Sequence, residues 1–576
     1  MLLAEWTVLA VAILLASVAS KLGSKYFESI ERLLAKLARH RRLSVAVVGI
    51  SALLVRAALL PIEPIPQPGL QSEFSYLLAA DTFAHARITN AIHPLWVHFE
   101  TFNVLQNPTY ASKFPPAQGI FLATGQVILG HPFWGVWLSV GVMCAAICWM
   151  LQGWLPPLWA LVGGLLVVVR LGAFSYWANS YWGGAAAAIG GALVLGAIPR
   201  IRRRLLARDA GFLALGLVIL ANSRPFEGLI FGIPAMALFA LMTIRRWDTA
   251  TRPTLLRVLV SFLIVLAVCG CLTAYYCWRV TGNAIRMPYQ LYQSTYDPVP
   301  IFVWQSLRPI PRYHNAAMMS LYTGWPIQNY LLARSHPIAM ALSKCFVFCF
   351  FFLGPTLTVP FFLLGIVLPR GFAYKDIRPS TRFLLLVYCI SWVGLLCTVY
   401  FSPHYAAPFT CVIYALLLRA MQQIRRWRRR QGTGLAIVRA VFTTCAVMLV
   451  VRASAPWLHI PVTRPGPGTW YSPNPLVINR QTVEERLKDS AGNHLAIVRY
   501  KEDHDPFQEW VYNGADIDHS KIVWAREMDP TENQRLFDYF KDRHVWLVDA
   551  DQKPPRALPY LAPAPSSNRS APEGQQ

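Results

Sequence analysis

Charged residues are scarce in this sequence: Asp, Glu, Lys and Arg make up 14% of 576 residues, and the acids number only 29. A water-soluble chain of this length needs more charge to cover its surface, so the composition argues against a soluble globular fold. Cysteine is missing from every long polar stretch. All eleven (Cys144, Cys148, Cys269, Cys271, Cys277, Cys345, Cys349, Cys389, Cys397, Cys411 and Cys445) lie in apolar segments, which argues against a disulfide framework. Cys345 and Cys349 have the i, i+4 spacing of a metal pair. No His or carboxylate lies close by in sequence, so they read as small packing residues. No internal repeat is present, which weighs against a transporter built from inverted repeats.

What the chain has instead is hydrophobic length. It is 55% hydrophobic, with mean hydropathy +0.38. The formal net charge of +24 comes from arginines in short clusters between apolar runs. Such clusters mark cytoplasmic loops rather than a nucleic-acid surface. The first run, about 3–20, lacks a preceding basic region and carries Glu5. It reads as an uncleaved helix with its N-terminus outside, not as a signal peptide. Lys21–Arg42 follows with seven Lys or Arg and an amphipathic pattern, expected on the inner membrane surface.

Further apolar runs lie at about 43–61, 133–152, 157–174, 183–199, 210–222, 227–244, 256–279, 340–367, 382–401, 405–420 and 434–452. With the first, they predict about twelve transmembrane helices. The run at 210–222 is short for a span, but with it the parity holds throughout. The basic clusters Arg200–Arg208, Arg245–Arg257, Arg370–Arg382 and Arg419–Arg430 then share a side with Lys21–Arg42. The long loops 62–116 and 281–339 fall on the opposite side. Segment 117–130 is then expected to be re-entrant or interfacial. Tyr176, Trp177, Tyr181 and Trp182 suit the headgroup level.

The expected organisation is therefore an N-terminal helix and basic segment (1–42), an α-helical polytopic membrane domain (43–452), a Pro- and Gly-rich linker (453–489), a small C-terminal α/β domain outside the membrane (490–560) and a disordered tail (561–576). In the C-terminal domain LAIVRY, EWVYN, KIVWARE and HVWLVDAD read as strands, and PTENQRLFDYFKD as a helix.

Chemistry points to the first outer loop. Glu73 and Asp81 are eight residues apart, so on a helix they share a face at the membrane boundary. Two carboxylates there suit deprotonation and orientation of an acceptor hydroxyl, although the spacing fits ordinary surface acids equally well. The same side carries Arg87, the stretch YASKFPPAQG with Tyr110 and Lys113, the short turn NSRPFEG with Arg224 and Glu227, and SPHYAAP with His404 and Tyr405. Cations at a membrane edge suit a lipid phosphate. The plain alternatives are an interfacial anchor for Arg224 and a helix-end packing residue for His404.

Taken together, these pieces resemble the GT-C superfamily of polyprenyl-phosphate-dependent glycosyltransferases, which includes protein O-mannosyltransferases and aminoarabinose transferases. An Asp-Glu pair followed by Tyr opens the first external loop of that family; here it matches Ser72-Glu73 with Tyr76. A Tyr/Phe-Pro-Pro element matches Phe114-Pro115-Pro116, an Arg-Pro-x-Glu-Gly-like turn matches Arg224-Pro225-Phe226-Glu227-Gly228, and a basic-Tyr-x-x-Pro element matches His404-Tyr405-Ala406-Ala407-Pro408. The resemblance covers roughly residues 43–452. It implies a GT-C-like fold and transfer of a sugar from a polyprenyl-phosphate donor, with inversion, to an acceptor on the outer face of the membrane. Glu73 or Asp81 would be the base. Arg87, Lys113, Arg224, His404 and Tyr405 would hold the donor phosphate, with Tyr76, Tyr110 and Glu227 around them. The residues singled out require no metal, no cofactor is expected beyond the lipid-linked sugar, and the expected partners are that donor, membrane lipid and a glycan, lipid or protein acceptor, without nucleic acid. The resemblance places the protein in a bacterial inner membrane with the C-terminal domain extracytoplasmic. One position departs: Ser72 stands where the family has its first acid, and a serine cannot usefully accept a proton near neutral pH. The rival readings are a polytopic transporter or lipid flippase, and a non-enzymatic membrane scaffold.

Overall fold

Every one of the twelve apolar runs forms helix, as runs without water to bond their backbone must. The structure is a computed structural model and describes residues 1–19, 21–368, 374–427, 433–462, 468–472 and 479–560. The tail 561–576 and parts of the linker therefore lie outside the described residues. Seven helices are long and apolar enough to cross a membrane: Phe133–Trp154, Ala185–Arg204, Pro225–Arg245, Arg252–Thr281, Pro379–Cys397, Pro403–Arg425 (whose first turns are 3-10) and Thr433–Ala453. An eighth is reached if the pair Ala316–Ser335 and Pro337–Phe352, bent by 114°, counts as one. Twelve spans are thus not established by length and composition. The helices Leu2–Val18 and Ala207–Ala221 have 17 and 15 residues, and Arg41–Ala58 carries three arginines.

The run at 340–367 is not one helix. It breaks between Pro337–Phe352 and Gly354–Val367, where Gly354 adopts φ +57° ahead of Pro355. A Cβ on Gly354 would come within 2.5 Å of the Arg170 guanidinium. That guanidinium donates to the Leu353 carbonyl at 2.5 Å and pairs with Glu5 at 3.3 Å. Glu5 also accepts from the Thr356 hydroxyl at 2.7 Å and the Trp470 indole at 3.0 Å. A buried charge survives in an apolar bundle only when paired and hydrogen-bonded in this way.

The chain divides into two units. The first comprises Met1–Ile92 and Phe102–Val477 and contains all the apolar helices. Its two long loops are structured. The first holds the helix Gln71–Ala84 and an antiparallel pair of short strands, β1 (Val104–Leu105) and β2 (Ala111–Ser112), and leads into the helix Pro116–Leu129. The second holds the helices Pro288–Tyr296, Ala316–Thr323 and Trp325–Ser335.

The second unit comprises His93–Thr101 and Ile478–Gln576, so a piece of the first loop belongs to it. Its sheet has strands β3 (His494–Arg499), β4 (Ile522–Arg526), β5 (His544–Asp549) and β6 (Arg556–Pro559) in the order β4-β3-β5-β6. The first three are parallel, with the helix Pro530–Tyr539 crossing from β4 to β5, and β6 runs antiparallel. EWVYN, read as a strand, is not one. The Trp510 and Val511 amides turn onto the Glu509 carboxylate at 3.0 and 2.8 Å. The Asn513 side-chain amide then pairs with both backbone groups of Trp524, taking the place of a strand on that edge of β4.

Candidate functional site

Five stretches of the first unit meet in one cavity of about 230 Å³. The helix Gln71–Ala84 presents Tyr76, and the segment before Pro116–Leu129 presents Lys113, Phe114 and Pro115. The turn into Pro225–Arg245 brings Arg224 and Glu227. The helix Pro288–Tyr296 and the residues after it bring Tyr289, Tyr292 and Asp297, while Thr398, Tyr400 and Tyr405 come from the connection between Pro379–Cys397 and Thr410–Arg425.

Local sequence explains these positions. Pro225 and Pro116 each start a helix at a site where the missing N–H costs nothing. The Ala117 amide donates to the Asn222 carbonyl at 2.9 Å, tying the Phe-Pro-Pro element to the Arg224 turn. That turn is tight because Gly228 closes on the preceding helix, where a Cβ would lie 2.7 Å from Leu220. Glu227 then occupies the first turn of Pro225–Arg245, where a helix N-terminus favours an acid. Tyr76 and Phe114 stack at 4.3 Å between ring centroids.

Each cation feels the field of an acid without a direct ion pair to it among the described residues. Arg224 lies over the Tyr405 ring at 4.4 Å and beside Glu227. The Lys113 ammonium lies over the Tyr292 ring at 4.6 Å, near Asp297. Burial pulls this ammonium down to about 8, with Asp297 opposing the shift. Burial raises the Asp297 carboxyl above the usual range, against the Val299 amide, Lys113 and Arg308. Asp297 Oδ1 accepts from that amide at 2.9 Å. Burial also lifts the Tyr76 phenol to about 12. All four charged groups are half-buried, sunk in the wall but open to the cavity. Among the described residues no group of three or more His, Cys, Asp or Glu is arranged to hold a metal ion.

Of the residues singled out from sequence, Tyr76, Lys113, Arg224, Glu227 and Tyr405 line this cavity, and Glu73, Asp81, Arg87, Tyr110 and His404 do not. The expectation that Glu73 and Asp81 face it needs correcting. Glu73 is fully buried: Oε2 accepts the Gly69 and Leu70 amides at 2.9 Å each, and Oε1 the Tyr181 amide at 3.0 Å. It caps its own helix and anchors a second segment. Asp81 is roughly 12 Å further along that helix, where it accepts from Gln126 at 3.1 Å beside His85. Arg87 follows the helix end, its amide on the Thr82 carbonyl. Tyr110 pairs its backbone with Asn90. His404 lies behind the wall, its Nδ1 3.0 Å from the Tyr176 hydroxyl and its ring against Trp182. The residue that sequence reasoning missed is Asp297. A signal for it was present, since it is the only acid in residues 281–339.

No protein-family model and no curated protein matches this chain. Among solved structures it is similar to the Archaeoglobus fulgidus oligosaccharyltransferase in complex with zinc and sulfate, at 13% identity and TM-score 0.44, over 78% of this chain and 60% of that one. It is also similar to the oligosaccharyltransferase AglB of that organism with an inhibitory peptide and a dolichol-phosphate, at 10% identity and TM-score 0.37, over 79% and 62%. A third is ArnT from Cupriavidus metallidurans bound to undecaprenyl phosphate, at 12% identity and TM-score 0.44, over 88% and 92%. The chain thus spans about 60% of the length of the archaeal enzymes.

Proposed function

We propose that this protein is a membrane glycosyltransferase that moves one sugar from a polyprenyl-phosphate donor to an acceptor hydroxyl, with inversion, at the cavity around Arg224. The observation that carries the reading is the convergence of two cations, Arg224 and Lys113, and two carboxylates, Glu227 and Asp297, in one aromatic-walled cavity at the ends of apolar helices. Two structures similar to this chain hold dolichol-phosphate and undecaprenyl phosphate; here the donor is proposed from the cavity's own residues. A lipid phosphate is an anion delivered from the bilayer, and Arg224 and Lys113 suit it. Phenol faces suit a sugar ring, and the volume suits a monosaccharide rather than an oligosaccharide.

Asp297 takes the role of base in place of Glu73 or Asp81. No protein donor engages its Oδ2 among the described residues, and its raised carboxyl lies closer to the working pH of a general base. Glu227, beside Arg224, orients that guanidinium. In the transfer the acceptor oxygen attacks the anomeric carbon as its proton passes to Asp297. The new carbon–oxygen bond forms as the bond to the phosphate oxygen breaks. The polyprenyl phosphate leaves with the electron pair, and Arg224 and Lys113 stabilise its added charge. The protein would reside in a bacterial inner membrane with this cavity on the outer face.

The test is sugar transfer and donor binding in membranes carrying single variants. Asp297→Asn should keep donor binding and lose transfer by about 10²–10⁴-fold. Arg224→Gln should weaken donor binding itself. A transporter or scaffold would show no transfer in the unaltered protein, and transfer surviving intact in Asp297→Asn would remove Asp297 from the mechanism.

A further inference from the structure

A second, larger cavity lies elsewhere, in a region no part of the proposed transfer uses. It occupies about 820 Å³ between the helices Gly354–Val367, Pro379–Cys397 and Thr410–Arg425. Its walls are apolar, with Phe361, Phe362, Leu385 and Leu416 among them, and Phe362 is 74% exposed on the outside of the bundle. One end is basic. Arg378, Arg419 and Arg426 line it, with Asp376 the one acid in the lining among the described residues.

Helix-end arginines ordinarily snorkel, reaching water with the whole guanidinium. Arg419 does not. One of its terminal nitrogens donates to the Trp154 carbonyl at 2.6 Å and the other to Gln422 Oε1 at 3.3 Å. Its Nε, and the Gln422 side-chain nitrogen, are buried without a partner. Three guanidiniums around one apolar bore call for an anion. The N-terminus of Pro379–Cys397, which begins directly after Arg378, adds a favourable dipole.

The location excludes the transfer site as the source of that anion. Thr398, just past the other end of Pro379–Cys397, lines the cavity around Arg224. The helix has 19 residues, and its length of about 28 Å is close to the thickness of the hydrocarbon core. The two cavities therefore open at opposite membrane faces. We propose that the basic cavity binds one anionic phospholipid of the leaflet opposite the transfer site, its phosphate on Arg378, Arg419 and Arg426 and an acyl chain in the bore. Basic pockets between membrane helices are suited to such headgroups, and this assignment stands whether or not the protein transfers a sugar.

The test is retention of lipid by the full-length protein in nanodiscs, read by native mass spectrometry and thermal protection. Phosphatidylglycerol should bind at least about tenfold more tightly than phosphatidylcholine. The variant Arg378→Gln/Arg426→Gln, which alters two exposed side chains, should lower phosphatidylglycerol affinity by about tenfold. Leu385→Trp, filling the bore, should do the same. Arg202→Gln, an exposed arginine outside the cavity, should change nothing. Equal binding of phosphatidylcholine, or unchanged affinity in both cavity variants, overturns the proposal. So does protection by inorganic phosphate at the same concentration, which would mark a headgroup-only anion site. Preference for undecaprenyl phosphate over phosphatidylglycerol would assign the cavity to a lipid-linked donor instead.

Discussion

Glu73 commits both carboxylate oxygens to backbone amides, and that fixes what its removal does. Glutamine keeps one acceptor oxygen and turns the other into a donor, leaving at least one buried amide facing an N–H. Glu73→Gln should therefore destabilise the protein by about 2–3 kcal/mol, seen as a lowered melting temperature in detergent. An unchanged melting temperature with transfer abolished and donor binding intact would instead make Glu73 the base. Lys113 gives a second prediction at this scale. Its folded pKa is lowered to about 8, so it is a cation below that pH and neutral above it. A polyprenyl-phosphate sugar is a diester whose charge is constant over this range. Donor affinity should be flat below about pH 7 and fall as pH rises through 8, approaching tenfold per unit as binding comes to require uptake of one proton. Lys113→Met should remove this dependence, and a slope that persists in the variant would assign it to another group. Both acids of the first loop were visible in the sequence, but not their partners. Whether an acid faces a cavity or its own helix end is decided by tertiary contacts that spacing does not carry. The isolation of Asp297 in a long loop was legible and is the stronger signal.

Elements place these residues, and one close constraint is where the helices Ala207–Ala221 and Pro225–Arg245 meet. Gly228 packs against Leu220, and Arg224 sits in the turn between them, its amide on the Leu220 carbonyl at 2.8 Å. Gly228→Ala inserts a methyl at 2.7 Å from Leu220, so the helices must separate. Overpacking of this kind costs about 1–3 kcal/mol, and it moves Arg224 away from Tyr405. Donor affinity should drop along with stability, whereas Gly270→Ala, on the open surface of Arg252–Thr281, should change neither. Equal effects of the two would show that the close approach does not matter. The helices themselves were legible because apolar runs have no other way to satisfy their backbone in a membrane. Their breaks were less so. Gly354 and Pro355 were visible, but the Arg170–Glu5 pair that holds the break at 353–354 joins residues 165 apart. EWVYN alternates like a strand yet loses its ladder to the side chains of Glu509 and Asn513, a substitution no periodicity reveals.

For the whole membrane unit the question is sidedness. Tyr76, Lys113, Arg224, Asp297, Thr398 and Tyr405 all come from segments that the arginine clusters put opposite themselves, and the structure gathers them into one cavity. The proposed mechanism then requires the outer loops on one side and the arginine-rich ends on the other. Reporter fusions after Gly130 and Tyr500 should be active outside the membrane, and a fusion after Arg426 only inside. The helix Thr433–Ala453 separates the last two and is apolar enough to span. Fusions at 426 and 500 reporting the same side would mean that this helix does not cross. The C-terminal unit would then share the arginines' side, and the expected placement of that unit outside would be ruled out.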